Sequence, residues 1–160
     1  MIGSMAWATF LQNLMWAGVA ALGYGILFNV PLRTLAACAL NGAAAYAVRT
    51  IFMQSGLAGI EAATFAGATV VGFLSIIFGR IWHAPGPVLI VPGIIPLIPG
   101  ALAFRTMIDI LMLATTNLPP AEALFMITAV NSLKTFLIVM AIAGGIALPS
   151  LLLRRHRPMM

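Results

Sequence analysis

Long apolar runs, each about as long as a bilayer is thick and each closed by a short breaker, constrain this chain more than anything else in it. A membrane core takes about 20 consecutive apolar residues per helix. Residues 5–28 form the first run and stop at Asn29-Val30-Pro31. Residues 32–53 form the second, rich in alanine, and close at Gln54-Ser55-Gly56. The third, 57–82, ends at His83-Ala84-Pro85-Gly86-Pro87. The fourth, 88–114, contains Pro92, Pro96 and Pro99, and the fifth, 121–153, follows Asn117-Leu118-Pro119-Pro120. Composition agrees with a surface solvated by lipid. Charged residues make up 7% of the chain and hydrophobic ones 62%, whereas a water-soluble domain carries about 25% charge. The expectation is an all-α polytopic membrane protein of about five transmembrane helices. One transmembrane domain covers 1–153, and a basic cytoplasmic tail covers 154–160. Residues 1–28 contain no Lys, Arg, Asp or Glu. The first run therefore lacks the basic start of a secretory signal and reads as a retained helix.

Charge placement gives the chain a direction. Basic residues collect on the cytoplasmic side of membrane proteins. With Arg154, Arg155 and Arg157 inside, five crossings put the turns carrying Arg33 and Arg80 inside as well. The outer side receives the uncharged N-terminus, the turn before Glu61 and the loop 115–122, which hold acids and no base. The arrangement is N-out/C-in. Four crossings, with the proline-rich stretch re-entering, would move Arg33 and Arg80 outside. The net charge of +5 thus reports orientation, and no nucleic-acid partner is expected. Arg49, near the outer surface, reads as snorkelling, and Glu61 and Glu122 read as interfacial. Cys38, the single cysteine, excludes an intrachain disulfide and reads as a small packing residue. The small residues Ala36, Ala37, Ala39, Gly42, Gly59, Gly67 and Gly72 suit close helix packing in lipid.

Ionisable groups inside a span cost at least about 2.5 kcal/mol near its centre and are functional candidates by default. Arg105 and Asp109 stand at i, i+4 in the fourth run, the spacing at which opposite charges meet. Lys134 lies deep in the fifth run, one turn after Asn131. Two readings follow. In one, Asp109 is shared by Arg105 and Lys134 in a salt network that joins two helices. In the other, two bases against one acid leave a base for an anionic substrate. Asn41, midway along the second run, bonds across helices or faces a substrate.

The stretch Val91-Pro92-Gly93-Ile94-Ile95-Pro96-Leu97-Ile98-Pro99-Gly100 is not expected to form a regular helix. Each proline removes a donor and clashes with the carbonyl four residues back. A new helix over 101–114 is expected after Gly100. Its free N–H groups and dipole, opening within the bilayer, attract an anion, a device by which transporters hold carboxylates; a proline kink that only shapes packing is the competing account. Gly100, Arg105, Asn131 and Lys134 are therefore the candidate substrate-binding residues, and Asp109 is the candidate for proton coupling. No HExxH, GxSxG, Walker loop or CxxC is present, and His83 and His156 lie at predicted membrane edges. Neither a metal site nor an enzyme is expected, nor is any cofactor. A channel would want a repeated polar stripe, and none is read here.

The Asn29-Val30-Pro31 turn, the Pro96-Leu97-Ile98-Pro99-Gly100 break and the basic C-terminal tail, in that order and spacing, resemble the threonine/serine exporter family. The chain is most similar to the small membrane subunit of its split, two-protein form. The resemblance implies a secondary exporter of the bacterial inner membrane, working with a larger membrane subunit. Fused members carry ten spans, so a second five-span unit enters from the opposite side, in agreement with N-out. Export of another small carboxylate such as a dicarboxylate, a non-transporting accessory role, and a homo-oligomer remain as alternatives.

Overall fold

The computed structural model describes residues 2–56, 59–115 and 121–154. Among these residues, six α-helices follow one another: α1 (Ile2–Leu27), α2 (Leu35–Gln54), α3 (Ile60–Trp82), α4 (Gly86–Ile94), α5 (Gly100–Thr115) and α6 (Ala121–Arg154). A 3-10 turn, Leu32–Thr34, leads into α2, and another, Ile95–Leu97, extends α4. Among the described residues there is no strand. Residues 57–58, the Asn117-Leu118-Pro119-Pro120 breaker, and Arg155, His156 and Arg157 of the tail lie outside the described residues.

Two of the breakers work by one device. Asn29 takes a left-handed φ of 56°, and Val30 N–H donates back to Gly25 O at 2.9 Å while Asn29 N–H donates to Ile26 O at 3.0 Å. His83 takes φ 49°, and Ala84 N–H donates to Gly79 O at 3.1 Å. Such bonds cap the last carbonyls of a helix, and a proline shortly after prevents its continuation. Pro31 and Pro85 each hold ψ at 133° and turn the chain into the next helix. Val30 shares an apolar cluster with Ala84 and Val88, so the two turns lie together at one end of the molecule.

Helices α1, α2, α3, α6 and α5 neighbour one another in that order, and α4 lies across α1, α2 and α3. The close approaches use small residues. A Cβ on Gly145 would stand 2.7 Å from the Phe65 carbonyl oxygen and 2.8 Å from Ala68 Cβ, so α6 meets α3 nearly backbone to backbone. One core cluster joins Ala45 of α2, Ala68 and Val71 of α3, Leu97, and Ile138 and Ile142 of α6. Large apolar side chains point outward instead: Trp7 is 68% exposed, Leu111 62% and Leu151 72%. That inversion fits a lipid solvent, in which small residues pack the interior and bulky ones face the acyl chains.

Among the described residues, four helical stretches are long and apolar enough to cross a bilayer: Trp7–Leu27, Leu32–Gln54, Ile60–Trp82 and Leu124–Leu153. Gly86–Leu97 and Gly100–Thr115 qualify as a pair bent by 63°. The chain is thus a multi-pass helical membrane protein. In one respect the expectation is corrected. Residues 91–97 are helical despite Pro92 and Pro96, and the chain leaves helical geometry at Ile98, whose backbone is extended at φ −66°, ψ 127°.

Candidate functional site

The reason α4 stays helical through Pro92 lies on α2. A proline at position 92 cannot donate to Val88 O, which would be left unpaired in a medium without water. The Cys38 thiol donates to that carbonyl at 4.0 Å. One turn further along α2, Asn41 Nδ2 donates to Leu89 O at 3.2 Å and to Ser75 Oγ on α3 at 3.0 Å. Further still, the Arg49 guanidinium donates to Leu97 O at 3.2 Å, the carbonyl released where the helix ends. Cys38, Asn41, Ala45 and Arg49 fall at i, i+3, i+7 and i+11, one face of a helix. That face supplies donors to the backbone of α4 and its 3-10 extension, which run alongside in the same direction.

The fit is close. A Cβ at Gly93 would come within 2.7 Å of Asn41 Cβ and 3.2 Å of Val71 Cγ1. Asn41 is fully buried, and its Oδ1 has no hydrogen-bond partner among the described residues. Leu89 O can only accept, so the Nδ2 side of the amide faces it.

A second polar region follows the seam between α5 and α6, which pack on each other. The less exposed positions of α5 are Leu102, Thr106, Asp109 and Leu113, again one helical face. On the first half of α6, up to Leu137, they are Leu124, Thr128, Asn131, Ser132 and Thr135. Thr106, Thr128, Ser132 and Thr135 each donate to the carbonyl four residues back, at 2.7 to 2.8 Å. Their own lone pairs remain to accept. Asp109 and Asn131 are the other polar residues at these less exposed positions. A groove of about 600 Å³ lined by Leu113, Glu122, Phe125 and Met126 opens at the Thr115 end of the same two helices.

The sequence-derived candidates are distributed over both faces of this seam. Gly100 is the first residue of α5 and exposed, and the space where its Cβ would stand is open to 4 Å. Gly100 N–H donates to Ile98 O and Ala103 N–H to Pro99 O, both at 2.9 Å. Asp109 and Asn131 are half-buried, while Arg105 and Lys134 are exposed. Among the described residues, Arg105, Asp109 and Lys134 form no ion pair within 4.0 Å. Arg105 and Lys134 stand on outward surfaces, whereas Asp109 belongs to the less exposed face of α5.

Sequence reasoning missed three features. Arg49 was assigned to snorkelling, but it bonds a backbone carbonyl 48 residues away. Ser75 was not singled out; a lone serine in an apolar helix carries no periodic mark. The Thr128, Asn131, Ser132, Thr135 series went unread as a stripe, although its i, i+3, i+4, i+7 spacing was available.

The sequence model of the family described as "Threonine/Serine exporter, ThrE" matches residues 13–152. No solved structure matches the chain.

Proposed function

The chain belongs to the threonine/serine exporter family, and from that premise we propose that it is one membrane subunit of a secondary-active exporter of small carboxylate-bearing solutes, threonine and serine foremost. Its seat is the bacterial inner membrane, and its partner is a larger membrane subunit of the same family. Residues 1–153 act as one transmembrane domain. The pair α4 and α5 is a single crossing broken by the proline-rich stretch, which gives five spans in the N-out/C-in sense. The two adjacent turns, one before Arg33 and one after Arg80, favour this sense, since both bases then sit on the cytoplasmic side with the tail.

The observation that carries the site is the 63° bend between Leu97 and Gly100. It opens the start of α5 within a membrane-spanning segment: a Cβ at Gly100 would meet nothing within 4 Å, and with the Gly100 and Ala103 N–H groups bonded to Ile98 O and Pro99 O, the Ala101 and Leu102 N–H groups are left for a carboxylate. A substrate carboxylate is held at that helix start, with Asn131 and the seam hydroxyls meeting its donors, and the outward-facing Arg105 and Lys134 complete the site where the larger subunit closes over this surface. Asp109, the acid of the seam, couples proton movement. Alternating access takes place between this subunit and its partner.

The test is efflux of radiolabelled threonine and serine from vesicles carrying this chain with and without the larger subunit. Gradient-dependent efflux that needs both chains supports the proposal. Absence of efflux with both chains present rejects it, and full efflux from this chain alone rejects the two-subunit arrangement.

A further inference from the structure

The 3-10 turn ending at Leu97 is the C-terminal end of a half-helix inside the membrane. Such an end carries unpaired carbonyls and the negative pole of the peptide dipoles. Where discontinuous helices build transport sites, half-helix C-terminal ends and unwound carbonyls commonly coordinate a mobile cation. Here the Ile95 carbonyl is taken by Ile98 N–H at 3.1 Å, and the Leu97 carbonyl by the Arg49 guanidinium at 3.2 Å. Leu97 itself is fully buried, locked against Ala45 of α2 and Val71 of α3. Arg49 forms no ion pair within 4.0 Å among the described residues, and its guanidinium is hydrogen-bonded to the Leu97 carbonyl.

We infer that Arg49 is a tethered cation that stands where a mobile cation binds in other broken helices, and that it positions the break for the start of α5. Gly100 lies only three residues beyond Leu97, so a fixed Leu97 carbonyl fixes where the α5 amides open. This last step rests on the carboxylate site proposed at Gly100; the anchoring of Leu97 does not. Arg49 is a positioning residue, since nothing brings it to the substrate directly. A guanidinium, with its charge permanent and its donors fixed in a plane, suits this better than a lysine ammonium.

Two readouts on the full chain in its membrane separate the two claims. The first is maleimide labelling of the thiol introduced by Leu97→Cys, with Cys38, fully buried, as an internal unreactive reference. Changing Arg49→Met in that background raises the labelling rate about tenfold, the scale of one lost charge-assisted hydrogen bond. Millimolar guanidinium chloride reverses the rise, and sodium chloride of equal ionic strength does not. The second is efflux with both subunits. Arg49→Met raises KM about tenfold with a smaller change in maximal rate, guanidinium restores KM, and Arg49→Lys falls between. Unaltered labelling in Arg49→Met overturns the anchoring, as does a rise that sodium reverses equally. Altered labelling with an unchanged KM overturns the positioning of Gly100. Loss of all efflux in the unsubstituted protein, with guanidinium-sensitive labelling intact, overturns the exporter reading and leaves the anchor standing.

Discussion

Asn41 of α2 and Leu89 of α4 are joined by a 3.2 Å hydrogen bond from the side-chain amide to the backbone carbonyl, with both residues fully buried. The amide's other donor direction reaches Ser75 on α3, so one side chain ties three helices, and its own oxygen is left without a donor among the described residues. Replacing Asn41→Ala removes both bonds and the orphan acceptor together. Interhelical hydrogen bonds in membranes average about 0.6 kcal/mol, with a maximum of about 1.7. Adding a small cavity, the expected loss is about 1 to 2 kcal/mol, measurable as reversible unfolding in a mild detergent or bilayer. A loss above about 4 kcal/mol would show that Oδ1 has a strong partner, such as an ordered water, in the native membrane.

Gly93 and Gly100 lie on either side of the break and answer differently to a methyl group. Gly93→Ala drives a Cβ to 2.7 Å from Asn41 Cβ, an atom next to backbone that cannot move aside. Overpacking of that kind costs about 1 to 3 kcal/mol, read as a lower thermal midpoint and weaker protection of Cys38 from thiol reagents. Gly100→Ala meets nothing within 4 Å and leaves both unchanged. Equal damage from the two substitutions would contradict the described packing of α4 on α2.

Lys134 stands exposed on α6, about 20 Å along the helix from Ala121 at 1.5 Å per residue. Removing a charge at such a depth favours insertion by about 2.5 to 3.5 kcal/mol. Lys134→Leu is expected to insert at least as well as the parent chain and to abolish export, as measured by membrane yield and by threonine efflux in the two-subunit vesicles. Retained efflux would remove Lys134 from the substrate site.

Asp109 is half-buried on the α5 face that meets α6. Asp109→Asn keeps its size and removes its proton. The expected result is efflux that still runs down a substrate gradient but no longer accelerates with an imposed pH gradient. An undiminished response to the pH gradient would move the coupling elsewhere.

The crossings were legible in the chain because hydropathy acts over twenty residues at a time, and so were the turns at Asn29 and His83, whose prolines announce a stop. The restart of the helix at Gly100 was legible as well; the persistence of α4 through Pro92 was not. A rule applied to Pro92 alone denies the helix; Cys38, some fifty residues earlier, supplies the donor that lets it persist, and no local pattern links the two. Arg49 was misread for the same reason, since its partner is a carbonyl and a carbonyl has no letter in a sequence. The hydroxyl stripe of α6 is different: its period was plain, but threonine and serine in an apolar run weigh little beside a lysine. Charge drew attention to Arg105, Asp109 and Lys134 as one set. The fold separates them by facing, and facing depends on which helix lies beside which.

The loan of donors from α2 to α4 also bears on how the protein is made. Ribosomes deliver α2 to the bilayer before α4, so each carbonyl that the later segment cannot satisfy by itself finds its donor already in place. A helix with Pro92 at its core, released into lipid first or alone, would carry unpaired backbone into a medium that gives it nothing. The gene order is therefore part of the assembly route. Separating the chain into two co-expressed pieces between α3 and α4 should put the burden on the second piece, which would accumulate only when the first is already there to receive it.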